Sequence, residues 1–202
     1  MIHSILDTDL YKFTTSYAYI KLFPYAKGTF SFTDRDETAY TDDFLEQLKA
    51  SIGHLAQVAL TPEELEYMTA HCRFLPRVYW EWLSSFRFHP ERVDIRLDKE
   101  HHLHIEVTDY LYKATLYEVP LLAIVSEILN ESLGRVADPD LVIRRLEKKV
   151  ELSNANRLFF SEFGTRRRFS FEVQDKVNGF LKEHARYCTG TSNCHFAMKY
   201  DV

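Results

Sequence analysis

The stretch Leu158–Arg168, with the sequence LFFSEFGTRRR, decides the fold prediction for this chain. Its apolar first half has the length of a strand without the strict alternation of a half-exposed one, which predicts a strand buried on both faces. Gly164 ends this strand, and three consecutive arginines follow. Ligands of parallel α/β folds bind at the carboxyl ends of the strands, so the arginines predict an anion site there. A solvated basic loop that caps the next helix is the alternative.

The composition argues against a protein that binds large polyanions. The chain has 202 residues, 46% of them hydrophobic, and a formal net charge of −5. It is long enough for a sizeable core in one or two domains. A negative net charge argues against a general binder of nucleic acid or acidic membranes, so an anion site must be local. We find no signal peptide and no apolar run of the roughly 20 residues that a membrane span needs.

Cysteine and histidine usage predicts no metal site. Three cysteines are an odd number without a disulfide framework, which indicates a reducing compartment and a cytoplasmic protein. Cys188 and Cys194–His195 lie close in sequence, but no second Cys/His pair completes a tetrahedral zinc site. His102 and His104 share one face of a predicted strand and could form a metal pair. Solvated histidines are the favoured interpretation, because no acidic or cysteine partner is in step with them.

The N-terminal part of the chain predicts a mixed α+β domain. Apolar residues at helical spacing from Leu10 to Ile20 form one stripe, capped by Thr8 or Asp9. Tyr11 lies about 100° off this stripe, so its ring is either free for another role or a flanking core aromatic. The other predicted elements are a strand at 28–33, helices at 42–56, 62–72 and 76–86, a hairpin of strands at 93–97 and 103–107, and a strand at 110–117.

The remaining sequence predicts the opening of a parallel α/β barrel. Two long helices precede the strand at 157–163, one ending at Gly134 and one opening at Asp138–Pro139. A helix at 170–187, a short strand or polar loop at 188–193 and a short helix follow. One or two β/α units cannot close a barrel, so we expect a fragment of a longer protein. The predicted class is α/β (α+β), with domains at 1–118 and 119–202.

Four motifs in order along the chain resemble the nicotinate phosphoribosyltransferase family, one of the type II phosphoribosyltransferases. They are Leu6–Lys12, Leu116–Leu122, Glu162–Arg167 and Gly190–Asn193. The resemblance implies an N-terminal α/β sandwich domain and an irregular, TIM-like α/β barrel in a homodimer with shared active sites. It implies an enzyme of NAD salvage that forms nicotinate mononucleotide and pyrophosphate from nicotinate and phosphoribosyl pyrophosphate. ATP hydrolysis with Mg²⁺ is implied to drive the reaction.

The resemblance also implies roles for individual residues. Phe163 stacks on the nicotinate ring, and Arg166 is the catalytic arginine that contacts the base and the ribose phosphate. Arg167 assists with the substrate carboxylate or phosphates. Tyr11 and Asp9 are expected to come from the second subunit, with Tyr11 stacking opposite Phe163. Arg35 is expected to contact a phosphate, also across the dimer.

Ser192 is the residue that favours nicotinate over nicotinamide as the predicted substrate. It stands where the nicotinamide enzyme has an acid, and a neutral hydroxyl there avoids repulsion of a substrate carboxylate. Thr191 and Asn193 are expected to contact the same region. Other type II enzymes, specific for nicotinamide or quinolinate, remain the alternative within the family. A non-catalytic domain that keeps only the dimer surface is the alternative from another class.

The chain departs from the family pattern in one respect. The catalytic histidine of the family lies on a Gly-Thr-x-x-His-Glu type segment, and none of the nine histidines of this chain is in such a segment. We therefore expect the 202 residues alone to be catalytically inactive, and we expect no ATP or Mg²⁺ motif within them.

Overall fold

The computed structural model describes residues 1–34 and 38–202. Thirteen helices and strands are described, together with short 3₁₀ turns at Leu55–Gln57, Pro90–Arg92 and Thr165–Arg167. In chain order the elements are α1 (Leu10–Leu22), β1 (Lys27–Ser31), α2 (Asp42–His54), α3 (Pro62–His71), α4 (Arg77–Ser85), β2 (Val93–Leu97), β3 (Leu103–Tyr110), α5 (Leu111–Ser132), α6 (Pro139–Asn156), β4 (Phe160–Glu162), α7 (Phe171–His184), β5 (Cys188–Thr191) and α8 (Cys194–Tyr200). The predicted mixed α/β class is confirmed.

The first layer is an antiparallel sheet in the order β1-β3-β2. The predicted hairpin is confirmed, with Ile95 of β2 opposite Ile105 of β3. Alternate residues of β3 are buried, as a strand with one face on the core requires. Helix α5 packs against α1, α2 and β3, and the main core lies between them. The largest wholly buried side chains include Phe13, Trp80 and Tyr117.

The predicted strand at 110–117 is wrong beyond Tyr110, because β3 ends there and residues 111–117 open α5. This helix continues to Ser132 with Pro120 in its interior. Proline lacks the N–H that would bond the carbonyl four residues earlier, which is why the sequence favoured a helix start there. Burial overrides this preference, since Tyr117, Val119 and Leu121 are all inside the core. The predicted domain boundary between residues 118 and 119 therefore falls within one continuous helix.

The last part contains the predicted parallel β/α unit. Strands β4 and β5 pair in parallel, joined through α7. The polar stretch at 188–193, predicted as a short strand or a loop, contains the strand Cys188–Thr191. The prediction that 157–163 is buried on both faces is wrong. Phe159 is 74% exposed and Phe163 is 52% exposed, because only one face of the short β4–β5 pair is covered by described elements.

Several predicted helix starts are confirmed by their caps. Thr61 and Glu64 form a reciprocal capping box at the start of α3. Asp138 caps α6, and the Ser170 hydroxyl accepts from Val173 N at the start of α7. None of the described helices has the length and apolar character needed to cross a membrane.

Candidate active site

The N-terminal segment is hydrogen-bonded to the turn between β5 and α8, and this contact builds the site. Leu10 N donates to Ser192 O at 2.8 Å, and Cys194 N donates to Thr8 O at 3.1 Å. Asp9 and Asn193 form an isolated antiparallel bridge. Ser192 N donates to Glu162 O at 3.0 Å, which attaches the same turn to β4. Three of the four sequence motifs therefore meet at the carboxyl ends of two parallel strands.

Two aromatic rings face each other at this point. The ring centroids of Tyr11 and Phe163 are 6.2 Å apart, with an interplanar angle of 23°. A flat ring in contact with both would need a separation of roughly 7–8 Å, given carbon contact distances of about 3.5–4 Å. Both side chains are accessible, with Tyr11 36% exposed. Tyr11 is thus directed away from its helix's core stripe, and the alternative of a core aromatic does not hold.

The structure contains one chain, and within it Tyr11 faces Phe163 and Asp9 lies beside Arg166. Backbone hydrogen bonds between residues 6–10 and 192–195 fix the start of α1 beside β4 and β5. The expected contribution of Tyr11 and Asp9 from a second subunit stays a prediction, and a pocket built by one chain is its alternative.

Arg166 lies beside the ring pair. Its guanidinium is 5.3 Å from the centroid of the Phe163 ring. Nε is 3.6 Å from Asp9 Oδ2 and Nη1 is 3.5 Å from Glu118 Oε1, and neither contact has hydrogen-bond geometry. Within residues 1–34 and 38–202, its side chain makes no hydrogen bond. A half-exposed guanidinium with free N–H groups can take a carboxylate or phosphate in bidentate fashion.

Asp9 places a buried carboxylate at the floor of the site. It is 1% exposed, and Ser192 Oγ donates to its Oδ1 at 2.7 Å. Burial raises the pKa of Asp9, while the Ser192 hydrogen bond and the Arg166 charge act in the opposite direction. Oδ2 has no hydrogen-bond partner among the described residues. The hydroxyl proton of Ser192 is thus directed to Asp9, and the predicted contact of Ser192 with substrate stays a prediction.

Thr191 and Asn193 have internal partners. Thr191 Oγ1 donates to Glu162 Oε2 at 2.7 Å. Asn193 is wholly buried, and its Nδ2 donates to Asp7 Oδ1 and to Thr165 Oγ1. Its Oδ1 accepts from the first turn of α8. The expectation that Asn193 contacts substrate is therefore corrected, because every polar atom of its side chain stabilises the turn.

The three arginines of the opening motif have different environments. Arg168 is wholly buried and bonds to Asp7 at 2.7 and 2.9 Å and to Glu127 at 2.6 Å. Burial opposes its charge, but these two carboxylates raise the pKa of Arg168 above its usual value. Arg167 is exposed and has no ion pair among the described residues. Arg35 lies outside the described residues, so its predicted phosphate contact stays a prediction.

Two charged residues of the site were not predicted from the sequence. Lys12 is buried and pairs with Glu118 of α5. The hydroxyl of Tyr11 also donates to Glu118, at a long 3.4 Å. The available signal was a glutamate between apolar residues in the motif Leu116–Leu122, since a charge inside a buried helix needs a partner.

The described residues do not fit a metal site of protein ligands. No group of three or more His, Cys, Asp or Glu side chains is suitably placed in the described chain. The carboxylates nearest the pocket are already engaged, Asp9 with Ser192, Glu118 with Lys12, and Glu162 with Thr191. His102 and His104 both contact Asp98, at 3.5 and 2.9 Å. This acidic partner was missed in the sequence, but the three side chains form a contact cluster without a third histidine or a cysteine among the described residues.

Two family models match this chain. The model for the N-terminal domain of nicotinate phosphoribosyltransferase matches residues 6–126, and the model for the nicotinate phosphoribosyltransferase family matches residues 158–202. The chain belongs to the nicotinate phosphoribosyltransferase family. The matched ranges contain all four motifs, so the predicted resemblance is confirmed.

Individual relatives agree in sequence and structure. The chain is 37% identical to the nicotinate phosphoribosyltransferase of Chromohalobacter salexigens over 204 residues, covering all of this chain and 52% of that protein. It is 37% identical to the Methanosarcina mazei protein of the same name over 220 residues, or 54% of that protein. The crystal structure of the Porphyromonas gingivalis nicotinate phosphoribosyltransferase superposes with a TM-score of 0.97 at 44% identity, covering all of this chain and 52% of that one. The chain spans about half the length of the curated relatives it matches.

Proposed function

We propose that the complete protein transfers a phosphoribosyl group from phosphoribosyl pyrophosphate to nicotinate, releasing pyrophosphate. The observation that carries this proposal is the facing pair of Tyr11 and Phe163 with the unbonded guanidinium of Arg166 beside it. In the reaction, the pyridine nitrogen forms a bond to the anomeric carbon while the bond from that carbon to pyrophosphate breaks. The site must therefore orient a flat ring and hold several negative charges.

Each part of the pocket has a task in this proposal. Tyr11 and Phe163, whose ring centroids are 6.2 Å apart, separate by about 1–2 Å and stack on the two faces of the pyridine ring, which fixes the direction of its nitrogen. Arg166 binds the nicotinate carboxylate or the ribose phosphate, since its donors are free on the side of Phe163. The exposed Arg167 supplies a further positive charge for the phosphates.

Selectivity for nicotinate rests on Arg166 together with Ser192. The hydroxyl of Ser192 is neutral, but it lies against the Asp9 carboxylate, so this region carries negative charge. We therefore propose that the substrate carboxylate is turned toward Arg166 and away from Asp9. Nicotinamide has no carboxylate and cannot form the bidentate pair with Arg166, so this arrangement disfavours it. The neutral hydroxyl of Ser192 adds to the preference for nicotinate, because it does not repel a substrate carboxylate.

The remaining features of the family are proposals for the whole protein. They are a homodimer, a cytoplasmic location, a place in NAD salvage, and ATP hydrolysis with Mg²⁺. No described residue is assigned to ATP or Mg²⁺. What this chain contributes is binding and orientation of the base and its charges.

The test is product formation by a protein extended to the length of its relatives. With phosphoribosyl pyrophosphate, we expect nicotinate mononucleotide from nicotinate and a kcat/KM for nicotinamide at least about a hundredfold lower, the scale set by losing a charged, bidentate contact. We also expect nicotinate to be used in preference to quinolinate. The 202-residue chain is the control and should form no product. Preferential use of nicotinamide or quinolinate would move the protein to a sibling activity. Absence of product with all three bases would favour a non-catalytic domain.

A further inference from the structure

Glu118 contacts both the aromatic and the cationic walls of the pocket. Its Oε1 accepts a hydrogen bond from the Tyr11 hydroxyl at 3.4 Å and lies 3.5 Å from Arg166 Nη1. Its Oε2 pairs with the buried ammonium of Lys12. The side chain is 24% exposed and comes from the middle of α5, which packs against α1 and the 3₁₀ turn Thr165–Arg167. Its carboxylate is therefore held in place by the core and reaches the ligand side of the site.

The contact between Glu118 and Arg166 leaves the guanidinium donors free. Asp9 lies 3.6 Å away at Nε and Glu118 lies 3.5 Å away at Nη1, without a hydrogen bond to either. Two carboxylates on different sides fix the position of a cation by charge. A hydrogen-bonded pair would instead occupy the N–H groups that an incoming anion needs. The arrangement thus orients Arg166 over Phe163 before ligand binds.

We propose that Glu118 is a positioning residue of the base pocket, which holds Tyr11 and Arg166 in their binding orientation against Phe163. This inference rests on the proposed function, because the ligand it serves is the pyridine carboxylate. The competing interpretation is that Glu118 only neutralises Lys12, which would otherwise be a buried, unpaired ammonium. The two interpretations differ in their prediction for a protein without the Lys12 charge. If Glu118 only neutralises Lys12, replacing Glu118 in that protein should have no effect on the KM for nicotinate.

The decisive variant is Glu118→Gln in the protein of full family length. Glutamine keeps the size and the acceptor oxygen but loses the charge that faces Arg166. We expect the KM for nicotinate to rise about tenfold while kcat stays within about threefold, because ground-state orientation of the base is lost. The double variant Lys12→Met/Glu118→Gln should keep the raised KM. Thermal unfolding of both variants reports on the fold separately.

The exposed Glu66, which bonds to Arg77 on the surface, gives a matched control. Glu66→Gln should leave KM unchanged. An unchanged KM in Glu118→Gln would overturn the positioning role. A lower kcat with an unchanged KM, caused by a smaller folded fraction of the protein, would overturn it as well. Recovery of the wild-type KM in the double variant would also overturn it, in favour of Lys12 neutralisation. Absence of product from the wild-type protein would instead overturn the proposed function, and the role of Glu118 with it.

Discussion

Replacing Arg168 with alanine is expected to destabilise the folded protein by about 3–5 kcal/mol, the cost of removing one partner from a buried ion pair. The guanidinium has no exposed surface and bonds to Asp7 and Glu127. Without this guanidinium, the buried carboxylates of Asp7 and Glu127 each lose an ion-pair partner. The substitution also removes one of the links between the N-terminal segment and α5, since Asp7 and Glu127 belong to these two parts of the chain. Urea unfolding monitored by circular dichroism measures the change.

The neighbouring Arg167 provides the control for this prediction. It is exposed and unpaired within the described chain, so Arg167→Ala should change the free energy of unfolding by no more than about 0.5 kcal/mol. Equal stability losses in the two variants would contradict the assignment of Arg168 to the core.

Changing Arg166 to lysine is expected to lower kcat/KM for nicotinate by about a hundredfold, the scale seen when a preorganised donor is removed from an active site. Lysine keeps the positive charge but presents a single ammonium in place of a planar fork. It also loses the stacking of the guanidinium over Phe163, now 5.3 Å from centroid to Cζ. Stability should change little, because the Arg166 side chain is 35% exposed and makes no hydrogen bond among the described residues. Steady-state kinetics of the protein at full family length gives the result.

Arg77→Lys is the control for the loss of a guanidinium in general. Arg77 bonds to Glu66 and Glu81 on the surface, remote in sequence from the four motifs. Its replacement should leave kcat/KM within about twofold, as expected for an exposed pair. An Arg166→Lys protein that retains activity within the same range would show that the fork is not needed.

The sequence predicted most elements because local signals agreed with the tertiary structure. The capping box at Thr61–Glu64 and the cap at Asp138 mark helix starts by hydrogen bonds that need only nearby residues. The first half of α5 was missed because Pro120 is a strong local start signal, whereas its helical state depends on packing against α1 and β3. Such packing is not encoded in the few residues around the proline.

The sequence predicted only part of the site, because the contacts that distinguish its residues are made by distant parts of the chain. Three adjacent arginines look equivalent in sequence, yet Arg166 faces the pocket and Arg168 is buried, since consecutive residues of a short 3₁₀ turn and its exit point in different directions. The partners that separate them, Asp7 and Glu118, lie more than forty residues away. Asn193 was likewise assigned to substrate because its role in holding the turn at α8 appears only in three dimensions.

The most direct test of the account is whether one chain supplies a whole base pocket. Tyr11→Ala alone should raise the KM for nicotinate about tenfold through the lost aromatic face, and Arg166→Lys alone should be nearly inactive. The two variants are then co-expressed with different tags and the mixed assembly is purified. Because Tyr11 and Phe163 face each other within one chain, the mixture should show only the average of the two separate activities. If the pocket were instead shared across a twofold dimer, one of the two sites in the purified mixed dimer would carry neither change, and about one half of wild-type activity would return with the wild-type KM, which would contradict the single-chain pocket.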